Sequence, residues 1–375
     1  MAKITWTVTD DGTDITSKVL SMNISQGREK YLDTYSGGRC VITINNAGDY
    51  ASTIQYGSKI RVSSNGTSDF LCDFWVQEVV FNDYPGDTGL NTAIITAVDW
   101  ISRSGRVLAN NFSLGQDLCA FQLRAFEQSV GGPLPSDMTV YGAGIPGGST
   151  AAATVYTGSV NNYLNYLANT ERGYVALRES TLYFIERPYV SVLPSLTITY
   201  GPTTSNSQIA FSDFDRIQNG VQFINTATIN PQGLASQTSV NSTSVSTYGA
   251  ADYSSSTVDY NTTQASGNAD WIVNNFSDPS SLRFRCTVTD TAQNSSALAT
   301  WMSQCWGTIY RVNTLNYQVP GGSLTSVKVL LEGFTINITP QQTQFSLSFS
   351  PLQYYQFFTL DSSLLGILDT SRLGW

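Results

Sequence analysis

The chain contains no histidine. That absence removes Ser-His-Asp and Cys-His nucleophile systems and most zinc hydrolase sites, since each needs an imidazole as base or ligand. Charge is also scarce. Only 13% of the 375 residues are Asp, Glu, Lys or Arg, against about 25% in an ordinary soluble domain. No run of basic residues longer than two occurs, and the net charge is −9; duplex DNA is a poor ligand for such a chain, because that affinity comes from neutralised phosphates. No uninterrupted apolar run approaches the roughly 18 residues of a membrane helix, so no membrane insertion is expected. The five cysteines are odd in number and form no C-x-x-C, which argues against a zinc ribbon or a disulfide framework. Buried free thiols of a protein assembled in a reducing cytoplasm are expected instead. The amino terminus MAKITWTV reads as a strand and not as a signal peptide.

Aromatic residues are plentiful, with 20 Tyr, 17 Phe and 7 Trp. Low charge with many aromatics suits either a strand-rich protein or a surface made for permanent contact with other subunits. The clearest periodicity lies in VKVLLEGFTINITPQQTQFSLSFSP, residues 327–351. Val327/Val329/Leu331, Phe334/Ile336/Ile338 and Phe345/Leu347/Phe349 alternate with mostly polar neighbours, as in strands with one buried face. Pro340-Gln341-Gln342 supplies a turn.

The fold class expected is mainly β with an α/β insert: two β-rich units, the first a barrel or sandwich, flanking a small helix-containing domain. Residues 1–104 form the first β unit, with short alternations at Cys40/Ile42/Ile44, Ile60/Val62 and Ile94/Thr96/Val98. Residues 105–190 form the insert. Ser113 is placed as the cap of a helix through Leu118, Phe121, Ala125 and Phe126. Ser159 caps a second helix with Val160, Tyr163, Leu164 and Leu167 on one face, ending at Gly173 as the residue after the helix. Strands Tyr174–Leu177 and Leu182–Ile185 follow. Residues 191–351 return to β, with alternations at Leu196/Ile198/Tyr200, Val221/Phe223 and Leu282/Phe284/Cys286/Val288. The stretch 232–268 reads as a long polar loop or exposed edge strands. A third helix is expected through Leu298, Trp301, Met302 and Cys305, capped by Ser295 or Ser296 and stopped at Gly307. Residues 352–375 form a separate carboxy-terminal segment.

The β units echo one another. V-Q-E-V-V-F-N precedes the last strand of the first, and L-L-E-G-F-T-I-N precedes that of the second, with Glu78 and Glu332 at matching places. No constellation promises catalysis, and no cofactor or metal site is expected. Glu127, Glu171, Glu179 and Glu186 cluster around the insert as the nearest set to a carboxylate pair, but solvated helix and hairpin faces account for them. Asp10-Asp11-Gly12-Thr13-Asp14 has its glycine at position three, not at the sixth place a calcium loop requires, so a plain turn is expected. The glycines of 142–148 lack the trailing Lys-Ser/Thr of a phosphate loop and read as a connector. Arg283 and Arg285 share one strand face, either for a partner's carboxylates or for solvent.

Several short motifs occur in a telling order: Asp14-Ile15-Thr16, Gly27-Arg28, Leu32-Asp33, Gly37-Gly38 and Ile44-Asn45-Asn46. Thr170-Glu171-Arg172-Gly173 follows, with Leu182-Tyr183-Phe184 and Arg187, then Asn219-Gly220-Val221, Tyr248-Gly249 and Ala269-Asp270-Trp271. Glu332-Gly333 and Ile338-Thr339-Pro340 close the series. This order resembles that of the tail-tip or baseplate hub proteins of long-tailed bacteriophages, often called minor tail proteins. The resemblance implies a virion structural protein, assembled in the host cytoplasm, that works as a homotrimer and closes the end of the tail tube. Two tube-like barrels per chain would give a pseudo-sixfold ring. A distal-tail ring or tail-tube protein would sit above and a fibre or tip protein below, with genome DNA passing through without specific binding. Many members of that family are longer and carry receptor-binding or lytic domains, so here adsorption and wall cleavage are expected of other proteins. Two other classes remain at this point: a hexameric distal-tail ring subunit or receptor-binding tail protein, and a polysaccharide-binding or polysaccharide-cleaving module using exposed Tyr and Trp.

The final residues repeat D-[ST]-S-x-L-G, at Asp361–Gly366 and Asp369–Gly374. A solvated tail has no use for Leu360, Leu364, Leu365, Leu368, Leu373 and Trp375. With Asp361 and Asp369 shaping the turns, this segment is the candidate partner-docking element.

Overall fold

The computed structural model describes residues 4–64, 70–86, 88–129, 139–142, 149–178, 181–185, 191–200, 208–218, 223–279, 282–291, 294, 297–298, 311–319 and 321–351. The docking candidates from Leu360 to Trp375, the third helix beyond Leu298, Glu179, Glu186 and Asn219-Gly220-Val221 lie outside these residues, as do residues 143–148 of the glycine-rich stretch.

The first β unit contains β1 (Trp6–Asp10), β2 (Thr13–Asp14), β3 (Val19–Gly27), β4 (Ser36–Asn45), β5 (Lys59–Ser64), β6 (Phe70–Asn82) and β7 (Thr92–Val98). Cys40, Ile42 and Ile44 of β4 are fully buried, as a period-two strand with one inner face requires. In β7 the inner face is Ala93, Ile95 and Ala97, opposite to the expected alternation Ile94/Thr96/Val98, whose Ile94 and Thr96 are only half-buried. The acidic stretch is a two-residue hairpin turn, with positive φ at Asp11 (44°) and Gly12 (86°), the mirror-image turn that matches strand twist. Asp11 Oδ1 accepts the Lys59 amide at 2.8 Å, so this carboxylate is used structurally. The short α1 (Trp100–Ser104) follows β7.

The insert comprises β8 (Leu108–Leu114), β9 (Asp117–Leu118), α2 (Cys119–Ser129), β10 (Thr139–Gly142), β11 (Thr150–Ala151), β12 (Thr154–Ser159), α3 (Val160–Glu171), β13 (Tyr174–Arg178) and β14 (Thr181–Ile185). Ser159 caps α3 as expected, accepting the Asn162 amide. Two local expectations are corrected. Ser113 lies inside β8, because residues 108–114 pair with β12. The left-handed residue closing α3 is Arg172, at φ 55°, while Gly173 donates its amide to Ala168 O at 3.0 Å.

The remaining elements are β15 (Ser191–Thr199), β16 (Gln208–Ala210), β17 (Asp213–Gln218), β18 (Thr226–Pro231), β19 (Gln237–Val240), α4 (Ser242–Tyr248), β20 (Asp252–Thr257), α5 (Thr262–Phe276), β21 (Leu282–Thr289), β22 (Arg311–Gln318), β23 (Leu324–Ile338) and β24 (Thr343–Pro351). The stretch 232–268 is therefore no polar loop but follows the edge-strand alternative in β19 and β20. With β18 it builds a three-stranded sheet, β19-β18-β20, and it holds α4 and the start of α5. The helix α5 buries Ala265, Ala269, Ile272, Val273 and Phe276.

The two β units share one plan. The first runs β3-β4-β7-β6-β5 and the second β17-β21-β24-β23-β22, every neighbour antiparallel. In chain order both read first, second, fifth, fourth, third. The fourth strand is long and bulged in each, between Val76 and Glu78 in β6 and between Leu331 and Gly333 in β23. The bulged residue is thus Gln77 in one unit and Glu332 in the other, which moves the expected equivalence of Glu78 with Glu332 by one residue. The bulge also explains the broken alternation Leu331/Phe334. What reads as two strands, 327–331 and 334–338, is one strand with an extra residue that resets which face points inward.

The units are fused. The early part of β23 pairs with β22, and its part after the bulge pairs with β3. Fourteen strands form one branched sheet, which among the described residues does not close into a barrel.

Candidate functional site

The motifs at Gly27-Arg28 and Glu332-Gly333 meet where β3 joins β23. Gly27 lies directly opposite Gly333 in the ladder. A Cβ on Gly27, whose φ is +97°, would sit 2.4 Å from Glu332 O, and one on Gly333 would sit 2.6 Å from Arg28 O. Two facing glycines let the backbones come this close. The Arg28 amide donates to Glu332 O at 2.9 Å, and Arg28 Nε meets Glu332 Oε2 at 2.7 Å with the side chains 6% and 1% exposed. The guanidinium also lies 4.8 Å from the centroid of the Tyr31 ring.

The neighbours of Arg28 extend the joint. Glu29 Oε1 accepts Arg283 Nη1 at 2.8 Å and Arg285 Nη2 at 2.6 Å. The Arg283 hydrogen bond, helped by Arg285, holds the Glu29 carboxyl below the usual carboxylate range. The Arg283/Arg285 face is thus matched by a carboxylate of its own chain. Tyr31, buried, donates its hydroxyl to Arg172 O at 2.7 Å, with its ring 5.4 Å from Trp271 and 5.9 Å from Phe276. Gln26 Nε2 reaches Leu177 O at 2.8 Å. Residues 26–31 therefore bind the second β unit, the insert and helix α5 at one point.

Thr170-Glu171-Arg172 is the insert's share of this joint. Thr170 Oγ1 accepts the Val258 amide at 2.8 Å and Thr170 O accepts Asn268 Nδ2 at 3.3 Å. Glu171 is 2% exposed and accepts the Ser149 amide, which corrects its placement on a solvated face. Arg172 is buried, with Nε and Nη2 lacking hydrogen-bond partners among the described residues. Burial raises the carboxyl pKa of nearby Asp259, while the Arg172 charge works to lower it. Among the described residues no group of His, Cys, Asp and Glu could hold a metal. Cys40, Cys119 and Cys286 are buried thiols outside any disulfide, and burial pushes the Cys40 and Cys286 thiols up.

Gly37-Gly38 marks a second tight contact. Asp99 is fully buried, caps α1 and accepts the amides of Ser102 and Gly38. Burial still pushes its carboxyl pKa up to about 6 from 3.8. A folded-state pKa above the unfolded one stabilises the folded chain below the unfolded pKa, and that stabilisation is lost as pH rises through about 6. On acidification from pH 7 to 4 the wild type should therefore gain up to about 3 kcal/mol that Asp99→Asn does not. Urea titrations of both proteins across that window measure the difference.

Four of the fifteen exposed large apolar residues among the described residues share one rim. Val80, Phe81, Tyr84 and Leu90, around the β6–β7 connection, are 42–58% exposed. At the same end of the sheet a cavity of about 300 Å³ opens between Trp6, Leu20, Met22 and Pro340.

No family model matches the chain, and no curated protein matches it in sequence. Solved structures do match. The tail protein from Neisseria meningitidis MC58 has a TM-score of 0.67 at 12% identity over 94% of this chain and 98% of that one. The 43 kDa tail protein of prophage MuSo2 from Shewanella oneidensis has a TM-score of 0.60 at 12% identity, covering 95% and 98%. An E. coli type VI secretion component, itself described as similar to T4 tail proteins gp27 and gp5, has a TM-score of 0.51 at 8% identity, covering 95% and 79%. Over nearly its whole length this chain has the fold of these tail proteins.

Proposed function

We propose that this chain is the structural hub subunit of a phage-type tail tip or baseplate, closing the end of the tail tube and joining it to distal host-recognition proteins. The observation that carries the proposal is the internal duplication: two β units of one strand order, fused through β23, in a chain with a tail-protein fold. Three such chains present six like units, and closed rings need such self-compatible surfaces. The units then line a tube-like barrel wall, facing a hexameric ring or tube protein above and a fibre or tip protein below. Its place is the virion tail, after assembly in the host cytoplasm. Genome DNA passes without specific binding, and the −9 charge faces the lumen, where it repels phosphates. The lack of imidazole and the structural use of Glu171 support a role without catalysis. The 360–375 segment docks on a neighbouring hub subunit or on the next protein toward the tip.

Native mass measurement tests this directly. The expected mass is three times the 40.8 kDa chain, and six copies per tail would instead favour a distal-ring subunit. Deleting residues 359–375 should leave the chain folded and abolish assembly of the distal tip; normal assembly of that truncation removes the docking role.

A further inference from the structure

The two β units are not equally finished. In the second unit, the part of β23 after its bulge pairs with β24 on one edge and with β3 on the other. In the first unit the corresponding part of β6, Glu78–Asn82, pairs among the described residues only with β7. The first strand of the second unit, β17, likewise pairs among the described residues only with β21, although its counterpart β3 pairs with both β4 and β23. One chain therefore holds one completed joint and the two separate halves of another. The side chains agree. Aligning the bulges sets Phe81 at the place of Ile336, yet Phe81 is 44% exposed and Ile336 is 0% exposed.

We infer that the edge of β6 after its bulge pairs with β17 of a second copy, repeating between chains the β23–β3 joint within one chain. The ladders fix the register. Counting from the bulges, Val80, Phe81 and Asn82 stand where Thr335, Ile336 and Asn337 stand. Through β4 and β21, residues Asp215, Arg216 and Ile217 stand where Asn23, Ile24 and Ser25 stand. The observed pairs Thr335–Ser25, Ile336–Ile24 and Asn337–Asn23 then become Val80 opposite Ile217, Phe81 opposite Arg216 and Asn82 opposite Asp215 of the second copy.

Each pair is chemically matched. Two β-branched apolar side chains face each other, a guanidinium meets an aromatic face, and an amide meets a carboxylate where Asn23 Nδ2 donates to Asn337 Oδ1 within the chain. Donor and acceptor edges are different surfaces, so copies join head to tail and must close into a ring or continue as a filament. The inference rests on the subunit-ring reading above and supplies its contact.

The test is the double variant Val80→Cys/Ile217→Cys in the full chain, oxidised and run on a non-reducing gel. Facing residues of an antiparallel pair bring their Cβ atoms to about 4.5–5.5 Å, so covalent dimers and larger rings are expected. Either single variant should give none, and Val80→Cys/Arg216→Cys, with side chains on opposite faces, should react at least tenfold more slowly. Val80→Lys should weaken self-association at least tenfold with an unchanged Tm. A native trimer without the cross-link overturns this inference and leaves the hub reading standing. A cross-linked assembly of another size overturns the trimer and leaves the inference. A chain that stays monomeric and uncross-linked at high concentration overturns both.

Discussion

Arg28→Met should lower the unfolding free energy by about 3–5 kcal/mol, the cost of leaving a buried charge without its partner. The carboxylate left behind is Glu332, 1% exposed and 2.7 Å from Arg28 Nε. Methionine keeps much of the side-chain volume, so the loss reports charge rather than a cavity. The double variant Arg28→Met/Glu332→Leu should recover most of it, since an apolar pair of similar size often substitutes for a buried ion pair without loss. Urea unfolding of the four proteins forms a complete cycle. A loss below about 1 kcal/mol in Arg28→Met would mean that this ion pair does not hold the two β units together.

Gly27→Ala should do comparable damage by another route. A non-glycine residue held in this region of backbone space costs about 1–3 kcal/mol by itself. Here the added methyl would also lie 2.4 Å from Glu332 O, so β23 has to shift away from β3 and the Arg28–Glu332 contact loosens with it. Gly12→Ala is the internal control: its φ is +86° and nothing lies within 4 Å of the added atom, so only the conformational part remains. The drop in Tm should be clearly larger for Gly27→Ala. Equal drops would show that the close approach of the strands carries no weight.

These two residues also mark how far the sequence could be read. The periodic strands were legible because their alternation survives in the burial of Phe345, Leu347 and Phe349 or of Cys40, Ile42 and Ile44. The Ser159 cap was legible for the same local reason. The motif pairs at 27–28 and 332–333 were visible as words, but not their meeting, because a contact between residues 304 positions apart leaves no periodic trace. Helix α5 was missed because the first part of its buried face, Ala265, Asn268 and Ala269, sits amid Ser, Thr and Asn. The apolar signal is thereby confined to Ile272, Val273 and Phe276 near its end. Its cap was nevertheless present: Asn261 Oδ1 accepts the Gln264 amide at 2.8 Å, an N-terminal signature of the kind that precedes a helix. Tyr31 carried no signal beyond being aromatic, and it sits at the centre of the joint.

The pairing of β3 with β23 sets a schedule for synthesis. The edge of β3 is complete once residue 27 has left the ribosome, but its partner residues 333–338 come last but one among the described strands. At about 5–20 residues per second, that edge waits roughly 15–60 s. During the wait it offers a bare row of backbone groups, which other chains could join. Ser21, Asn23 and Ser25, alternating along β3 with Met22 and Ile24, keep one side of that waiting edge polar. Nascent chains stalled before residue 333 should therefore be the most aggregation-prone form of this protein, and release of the last hairpin is the step that retires the hazard.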